Sequence, residues 1–236
     1  MIDFAGSYCG LAPVAGTLTG RWNLDPLVLA ALALLVAGAW RLAPARRRAA
    51  ALAVAALAVA FVSPLCAASV ALFSARAVHH LLLIGVAAPL LAAAWPSPRT
   101  LPPLPMLALA TATLWAWHLP AAYDAALADV ALYWAMQLSL LATAWAYWSA
   151  VARAPGPVAL VAIVGGAAQM GMLGAVLTFA PTPLYASHLA TTASFGIGPL
   201  ADQQLAGLIM WVVGLAPYAI AAGWRLRGDW RRMAAA

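Results

Sequence analysis

Imidazole is the side chain that most often ligates transition metals, and it suits copper, zinc and iron. The sequence holds four histidines, His79, His80, His118 and His188. Adjacent helical residues point about 100° apart, so His79 and His80 do not easily share one ion. Arg76 stands four residues before His80 and shares its helical face. His118 ends the run Trp115-Ala116-Trp117-His118-Leu119-Pro120. There two tryptophans read as an interfacial belt, and Pro120 fixes the turn that follows. His188 closes Pro183-Leu184-Tyr185-Ala186-Ser187-His188 in a long loop, where a lone histidine is ordinarily exposed and idle. Asp202-Gln203-Gln204 opens the last apolar run. The aspartate suits an N-cap, accepting from a free backbone N–H and complementing the helix dipole. The glutamines are more polarity than a cap needs, and polar groups at a membrane edge are often functional. Met170 and Met172 beside Gln169 bring thioethers, which bind Cu(I) but more often fill gaps in apolar packing. Cys9 and Cys66 permit one disulfide at most and form no C-x-x-C pair. Their plain reading is two unrelated small residues, the alternatives being a periplasmic disulfide or a shared thiolate site.

These groups hang on a chain that is 66% hydrophobic and 8% charged. A soluble domain is about a quarter charged, so the deficit marks lipid-facing surface and an all-α, polytopic membrane protein. A bilayer crossing takes about 20 apolar residues, and seven segments approach this. They run from Pro26 to Leu42, Ala49 to Val62, Val78 to Trp95, Leu104 to His118, Val130 to Ala150, Val158 to Ala180, and Gln203 to Trp224. The stretch Leu65 to Ala75 either extends the second or lies on the surface. No basic run precedes the first segment as a cleavable signal requires, so that segment is expected to remain in place.

All the basic charge is arginine, and neither lysine nor glutamate occurs. With seven crossings, Arg41, Arg46, Arg47, Arg48, Arg99, Arg153, Arg225, Arg227, Arg231 and Arg232 share one side with a single acid, Asp229. Arg21 and Arg76 fall on the other with Asp3, Asp25, Asp124, Asp129 and Asp202. Ten arginines against two make the first side cytoplasmic. The expectation is one seven-helix membrane domain over residues 1–236. Its N-terminal segment, 1–25, lies outside, and a basic tail, 225–236, lies in the cytoplasm. All four histidines then fall at outer helix ends or in an outer loop. The basic balance reflects this membrane bias, so no nucleic-acid partner is implied; membrane lipid is the surrounding partner. No P-loop, G-x-S-x-G, H-E-x-x-H or dinucleotide fingerprint is present, and no lysine is available for a retinal Schiff base. No span is expected to carry an ionisable group deep in its middle, which argues against an ion-coupled transporter.

Several stretches in one order carry a likeness. They are Ser63-Pro64-Leu65, Leu72-Phe73-Ser74-Ala75, His80-Leu81-Leu82-Leu83, Pro89-Leu90-Leu91, and Trp115 to Pro120 followed by Tyr123-Asp124-Ala125-Ala126-Leu127. Then come Leu173-Gly174-Ala175-Val176-Leu177-Thr178-Phe179, Pro183-Leu184-Tyr185, and Asp202-Gln203-Gln204-Leu205-Ala206-Gly207-Leu208-Ile209-Met210-Trp211. The ordered set, from about Trp22 to the last helix, resembles the polytopic CtaG family of bacterial cytochrome c oxidase assembly factors. The resemblance implies a seven-helix inner-membrane protein, not an enzyme, that matures a haem–copper oxidase of the respiratory chain through transient copper handling on the periplasmic side. It implies an oxidase subunit or a periplasmic copper donor as partner. The positions it carries over are His80, His118, Asp202, Gln203 and, less directly, Tyr185.

The sequence also departs from the family. Members often have a histidine four residues before the one matching His80, where this chain has Arg76. They often have a histidine pair where it has Tyr133 and Gln137. A cation at Arg76 repels a metal at His80, so the resemblance implies a divergent member with an altered site. His80 and His118 are the expected first copper ligands, His79 and His188 the next, with Asp202 orienting a ligand or capping its helix. The alternatives are a membrane metalloenzyme using the same outer histidines and a metal-free scaffold in which Arg76 marks a lost site.

Overall fold

The computed structural model describes residues 7–234, apart from the Asp229 side chain. Asp3 and the Asp229 side chain, counted above in the charge balance, therefore lie outside the described residues, as does the end of the tail. The described chain is helical throughout, with no strand. In chain order the helices are α1 (Pro26–Ala39), α2 (Pro44–Phe61), α3 (Leu65–Ala71), α4 (Phe73–Leu81), α5 (Ala88–Ala94), α6 (Pro103–Trp117), α7 (Pro120–Ala128), α8 (Val130–Arg153), α9 (Gly156–Phe179), α10 (Pro199–Val212) and α11 (Ala216–Ala234).

Prolines and aspartates start these helices. Proline lacks the N–H that a first turn leaves unpaired, and it opens α1, α2, α6, α7 and α10. Asp25 accepts from Leu27 N at 2.7 Å to cap α1, and Asp129 accepts from Leu132 N at 2.8 Å to cap α8.

Among the described residues, three helices are long and apolar enough to cross a membrane: Phe73–Ala94, Gly156–Phe179 and Pro199–Ala234. A fourth is added if α2 and α3, bent by 44° at Ser63-Pro64, count as one span. This is fewer than the seven expected. Helix α1 has 14 residues and α6 has 15. Helix α8 has 24, but Tyr133, Trp134, Gln137, Trp145, Tyr147 and Trp148 lower its hydropathy. Boundaries move as well. Helix α2 begins at Pro44, so Arg46, Arg47 and Arg48 lie in its first turn rather than in a loop. Leu65–Ala71 is a separate short helix, and the third expected span begins at Phe73. His79 and His80 thus lie well inside that helix instead of opening it. The basic tail is no loose segment: from Arg225 to Ala234 it continues α11.

Between α4 and α5 the helix widens to a π register over Leu82–Ala87. Pro89 explains this, because a proline ring clashes with the carbonyl four residues back. In the widened turn the Ile84 carbonyl looks toward Pro89, which has no N–H. Trp148 Nε1 donates to it instead, at 2.8 Å.

Helices α9 and α10 touch backbone to backbone through two glycines. A Cβ on Gly174 would stand 2.7 Å from the Gly207 carbonyl oxygen, and one on Gly207 would stand 2.6 Å from that of Gly174. Small residues permit this approach in membrane bundles. Gly207→Ala is expected to lower stability by about 1–3 kcal/mol, read as a lower melting temperature of the detergent-purified protein. An unchanged melting temperature would mean the pair can separate freely.

The connecting segments gather at the two ends of the bundle. At one end, the N-terminal segment, α3, α7 and residues 180–198 are tied together. Cys9 and Cys66 form a disulfide there, joining the N-terminal segment to α3. The plain reading of two unrelated cysteines is therefore wrong: 57 residues of separation hid a contact made only by folding. Asn23 reinforces it, its Nδ2 donating to Phe61 O at 3.0 Å and to the Tyr8 hydroxyl oxygen at 3.2 Å. At the other end, Arg153 Nη1 donates to Arg99 O at 3.2 Å, and Arg225 Nη2 donates to Val151 O.

Candidate functional site

The site grows from the N-terminus of α4. Asp202, in the first turn of α10, does not cap its own helix. Its carboxylate reaches across to α4, accepting from Phe73 N at 2.6 Å, from Ser74 N at 3.3 Å and from the Ser74 hydroxyl. The free N–H groups of a helix start need such an acceptor, and here a neighbouring helix supplies it. Gln203 performs a parallel task. Its Oε1 accepts from Leu184 N at 2.7 Å, and its Nε2 donates to Leu177 O at 3.3 Å, fixing the exit of α9. This is why α10 opens with more polar side chains than a cap requires.

The segment 180–198 is held the same way. Asp124 on α7 accepts from Ala186 N and Ser187 N, each at 3.1 Å, and from the Ser187 hydroxyl. Thr191 Oγ1 donates to Ala71 O at 2.6 Å. Sequence reasoning quoted Asp124 without giving it a role; its signal was an aspartate followed far downstream by a serine in a tight turn.

So pinned, Phe73 becomes an aromatic hub. Its ring stacks on Tyr185 with centroids 4.2 Å apart and meets Tyr123 at 5.2 Å, His188 at 5.8 Å and His118 at 6.4 Å. Tyr185 donates to His118 O at 2.9 Å, so the loop tyrosine clamps the end of α6. His188 is buried and shares a 2.7 Å hydrogen bond with the Tyr123 hydroxyl. The expectation of an exposed, idle loop histidine therefore fails, because Asp124 folds this loop down onto the bundle.

Burial first, and then the Arg76 charge, depress the His188 pKa from 6.5 to about 3. Folded His188 thus stays neutral where the unfolded chain would take a proton. Its contribution is complete above about pH 6.5 and is lost as the pH falls from there toward 3. The melting temperature should decline over that window, and His188→Gln should flatten the decline.

The four histidines do not converge. His79 turns to Phe61, edge to face at 5.1 Å, while His80 turns to His118, with centroids 5.9 Å apart. The divergence of His79 and His80 is what helical geometry requires. Among the described residues no three His, Cys, Asp or Glu side chains assemble as a metal cage. What remains is the pair His80 and His118. His118 Nδ1 lies 2.7 Å from Leu114 O. A carbonyl only accepts, so Nδ1 carries the proton and the neutral ring keeps its lone pair on Nε2. Neither ring nitrogen of His80 has a hydrogen-bond partner. Two imidazoles sharing one ion, with metal–nitrogen bonds of about 2.0 Å, have centroids about 5–6 Å apart. The His80–His118 spacing of 5.9 Å lies in that range.

Beside it stands Arg76, fully buried in α4 with its guanidinium 5.4 Å over the Tyr133 ring. Arg76, expected outside the spans, stands within Phe73–Ala94, in its first turn rather than deep in its middle. Gln137, one turn beyond Tyr133 on α8, buries both amide atoms without a partner. The methionines stand apart: Met170 packs against Gly214, as gap-filling predicts, and Met172 faces outward. An open groove of about 680 Å³ lined by Gly85, Pro89, Trp148, Pro217 and Trp224 is apolar, and no histidine lines it.

The family of cytochrome c oxidase caa3 assembly factors (Caa3_CtaG) matches this chain over residues 99–232, more than half its length. No curated protein and no solved structure matches it. The matched region contains His118, Asp124, Tyr185, His188, Asp202 and Gln203, while Arg76, His79 and His80 precede it.

Proposed function

Because the chain belongs to the cytochrome c oxidase caa3 assembly factors, a family of assembly factors rather than enzymes, we propose that it handles copper for the oxidase at the outer membrane face. Interaction with cytochrome c oxidase in general follows from the family; an oxidase subunit or a periplasmic copper donor is the partner this reading names. Copper is cargo here, held transiently between His80 and His118.

The observation that carries the reading is the state of these two rings. Leu114 O orients His118 with Nε2 unprotonated, the arrangement that a carbonyl bonded to the far ring nitrogen imposes on metal-binding histidines. His80 faces it with both nitrogens unpartnered. Two nitrogen ligands with open positions suit delivery better than storage, since an incoming ligand can add before either imidazole leaves.

The reading includes seven crossings of a bacterial inner membrane, with the histidine end outside. Two features support this orientation. The Cys9–Cys66 disulfide lies at the histidine end, and disulfides persist in oxidising compartments such as the periplasm. Arg99, Arg153 and Arg225 gather at the opposite end, as the positive-inside bias expects. The short apolar helices α1 and α6 and the aromatic-rich α8 become the additional crossings.

A metal-free scaffold is the second reading, and Arg76 favours it, since a fixed cation one turn from His80 opposes a metal ion. Cu(I) affinity of the detergent-purified protein separates the two. The copper reading expects saturable binding of Cu(I) in the wild type and its loss in the His80→Ala/His118→Ala double variant. No binding in the wild type would leave the scaffold.

A further inference from the structure

Among the described residues Arg76 is buried without a counter-ion. It is 0% exposed, and none of its three guanidinium nitrogens makes a hydrogen bond. The phenol oxygens of Tyr123 and Tyr133 lie within hydrogen-bonding reach of its guanidinium, but they are neutral. The four aspartates with described side chains are engaged elsewhere. Asp25 holds Tyr8 and α1, Asp124 holds the loop at Ser187, Asp129 caps α8, and Asp202 caps α4. Arg76 also lies in the first turn of α4, where the helix dipole disfavours a cation. A buried charge without an ion pair costs several kcal/mol, and the Asp202 carboxylate that caps α4 is committed to Phe73 and Ser74, so the guanidinium favours a further negative group.

We propose that Arg76 is the centre of a buried site for a small inorganic anion of halide size. The guanidinium supplies the charge, and the hydroxyls of Tyr123 and Tyr133 supply rotatable donors beside it. Tyr123 shares its hydroxyl with His188, and Tyr133 Oη lies 3.5 Å from Cys9 Sγ, a weak partner that an anion readily outcompetes. Size selects the ligand: the ring of Tyr133 closes one side of the guanidinium, and Phe73 and Tyr185 pack against Tyr123 on the other. Rings packed this closely exclude a bulky oxyanion and leave only a small monatomic anion as a candidate. The site needs no copper, so it stands or falls apart from the copper reading.

The test uses wild-type protein in an uncharged detergent, with a chelator present and sodium gluconate holding ionic strength constant. Equilibrium dialysis with radiolabelled chloride should show one saturable site per chain, and chloride or bromide should raise the melting temperature saturably. Tyr133→Phe should weaken chloride by about tenfold, the loss of one hydrogen bond to a charged group, and Arg76→Met should abolish binding. If Arg76→Met does not fold, the Tyr133→Phe shift carries the assignment. Absence of saturable chloride and bromide binding in the wild type overturns the proposal, as does binding that Tyr133→Phe leaves unchanged.

Discussion

His118→Ala is expected to lower the activity of the cytochrome c oxidase in the cell while leaving the amount of this protein in the membrane unchanged. The separation follows from which atoms of His118 do structural work. Tyr185 clamps the end of α6 by donating to the His118 carbonyl, a backbone atom that alanine retains. The ring contributes one hydrogen bond, from Nδ1 to Leu114 O, and truncation leaves that carbonyl without this donor. Stability therefore falls by the packing of one imidazole and about 1–3 kcal/mol for the unpaired carbonyl, less than the usual margin of about 5–15 kcal/mol. Copper affinity changes far more. Loss of an outer-shell partner of a metal ligand typically costs 10–100-fold, and losing one of two ligands costs at least about 100-fold on that scale. Oxidase activity, read as cytochrome c oxidation by isolated membranes, should fall with it, and added copper should restore part of the activity. Equal activity at equal expression would remove His118 from the copper path.

The fold class was legible because hydrophobic content and the charge deficit act over the whole chain. The positions of helix starts were legible where proline or aspartate stands at the boundary, as at Pro26, Pro103, Pro120 and Asp129. The seven-span count was read from apolar runs, whereas α1, α6 and α8 fall short of a crossing by length or hydropathy. Within the site, the divergence of His79 and His80 was legible because it depends only on helical geometry. The contacts of Asp202, Asp124 and the two cysteines were not, since each partner lies 57 or more residues away. His188 shows the same limit: a loop histidine is exposed by default, and only the Asp124–Ser187 clamp buries it. Arg76 was read as a modifier of a metal site. Its lack of a counter-ion emerges only once every described acid is seen to be occupied.

Asp202→Ala is expected to act in the opposite way to His118→Ala, lowering the amount of protein and every activity together. The carboxylate accepts from two backbone N–H groups and one hydroxyl at the start of α4. Alanine leaves those donors buried and unpaired, which costs roughly 3–5 kcal/mol when hydrogen bonds to a charged group are lost without replacement. Natural stability is about 5–15 kcal/mol, so much of the margin disappears. The damage begins at the core of the site. Without the cap, Phe73 is free to shift, and with it the ring cluster that positions Tyr185, His188 and His118. Graded variants distinguish capping from a direct role toward copper. Asp202→Asn keeps one acceptor oxygen, and Ser74→Ala loses only the hydroxyl bond, so melting temperature should fall in the order Ser74→Ala, Asp202→Asn, Asp202→Ala. If capping is the whole role, Cu(I) affinity of the protein that does fold should stay near the wild-type value in all three. A loss of copper affinity in Asp202→Asn at unchanged melting temperature would instead make the carboxylate part of the copper path.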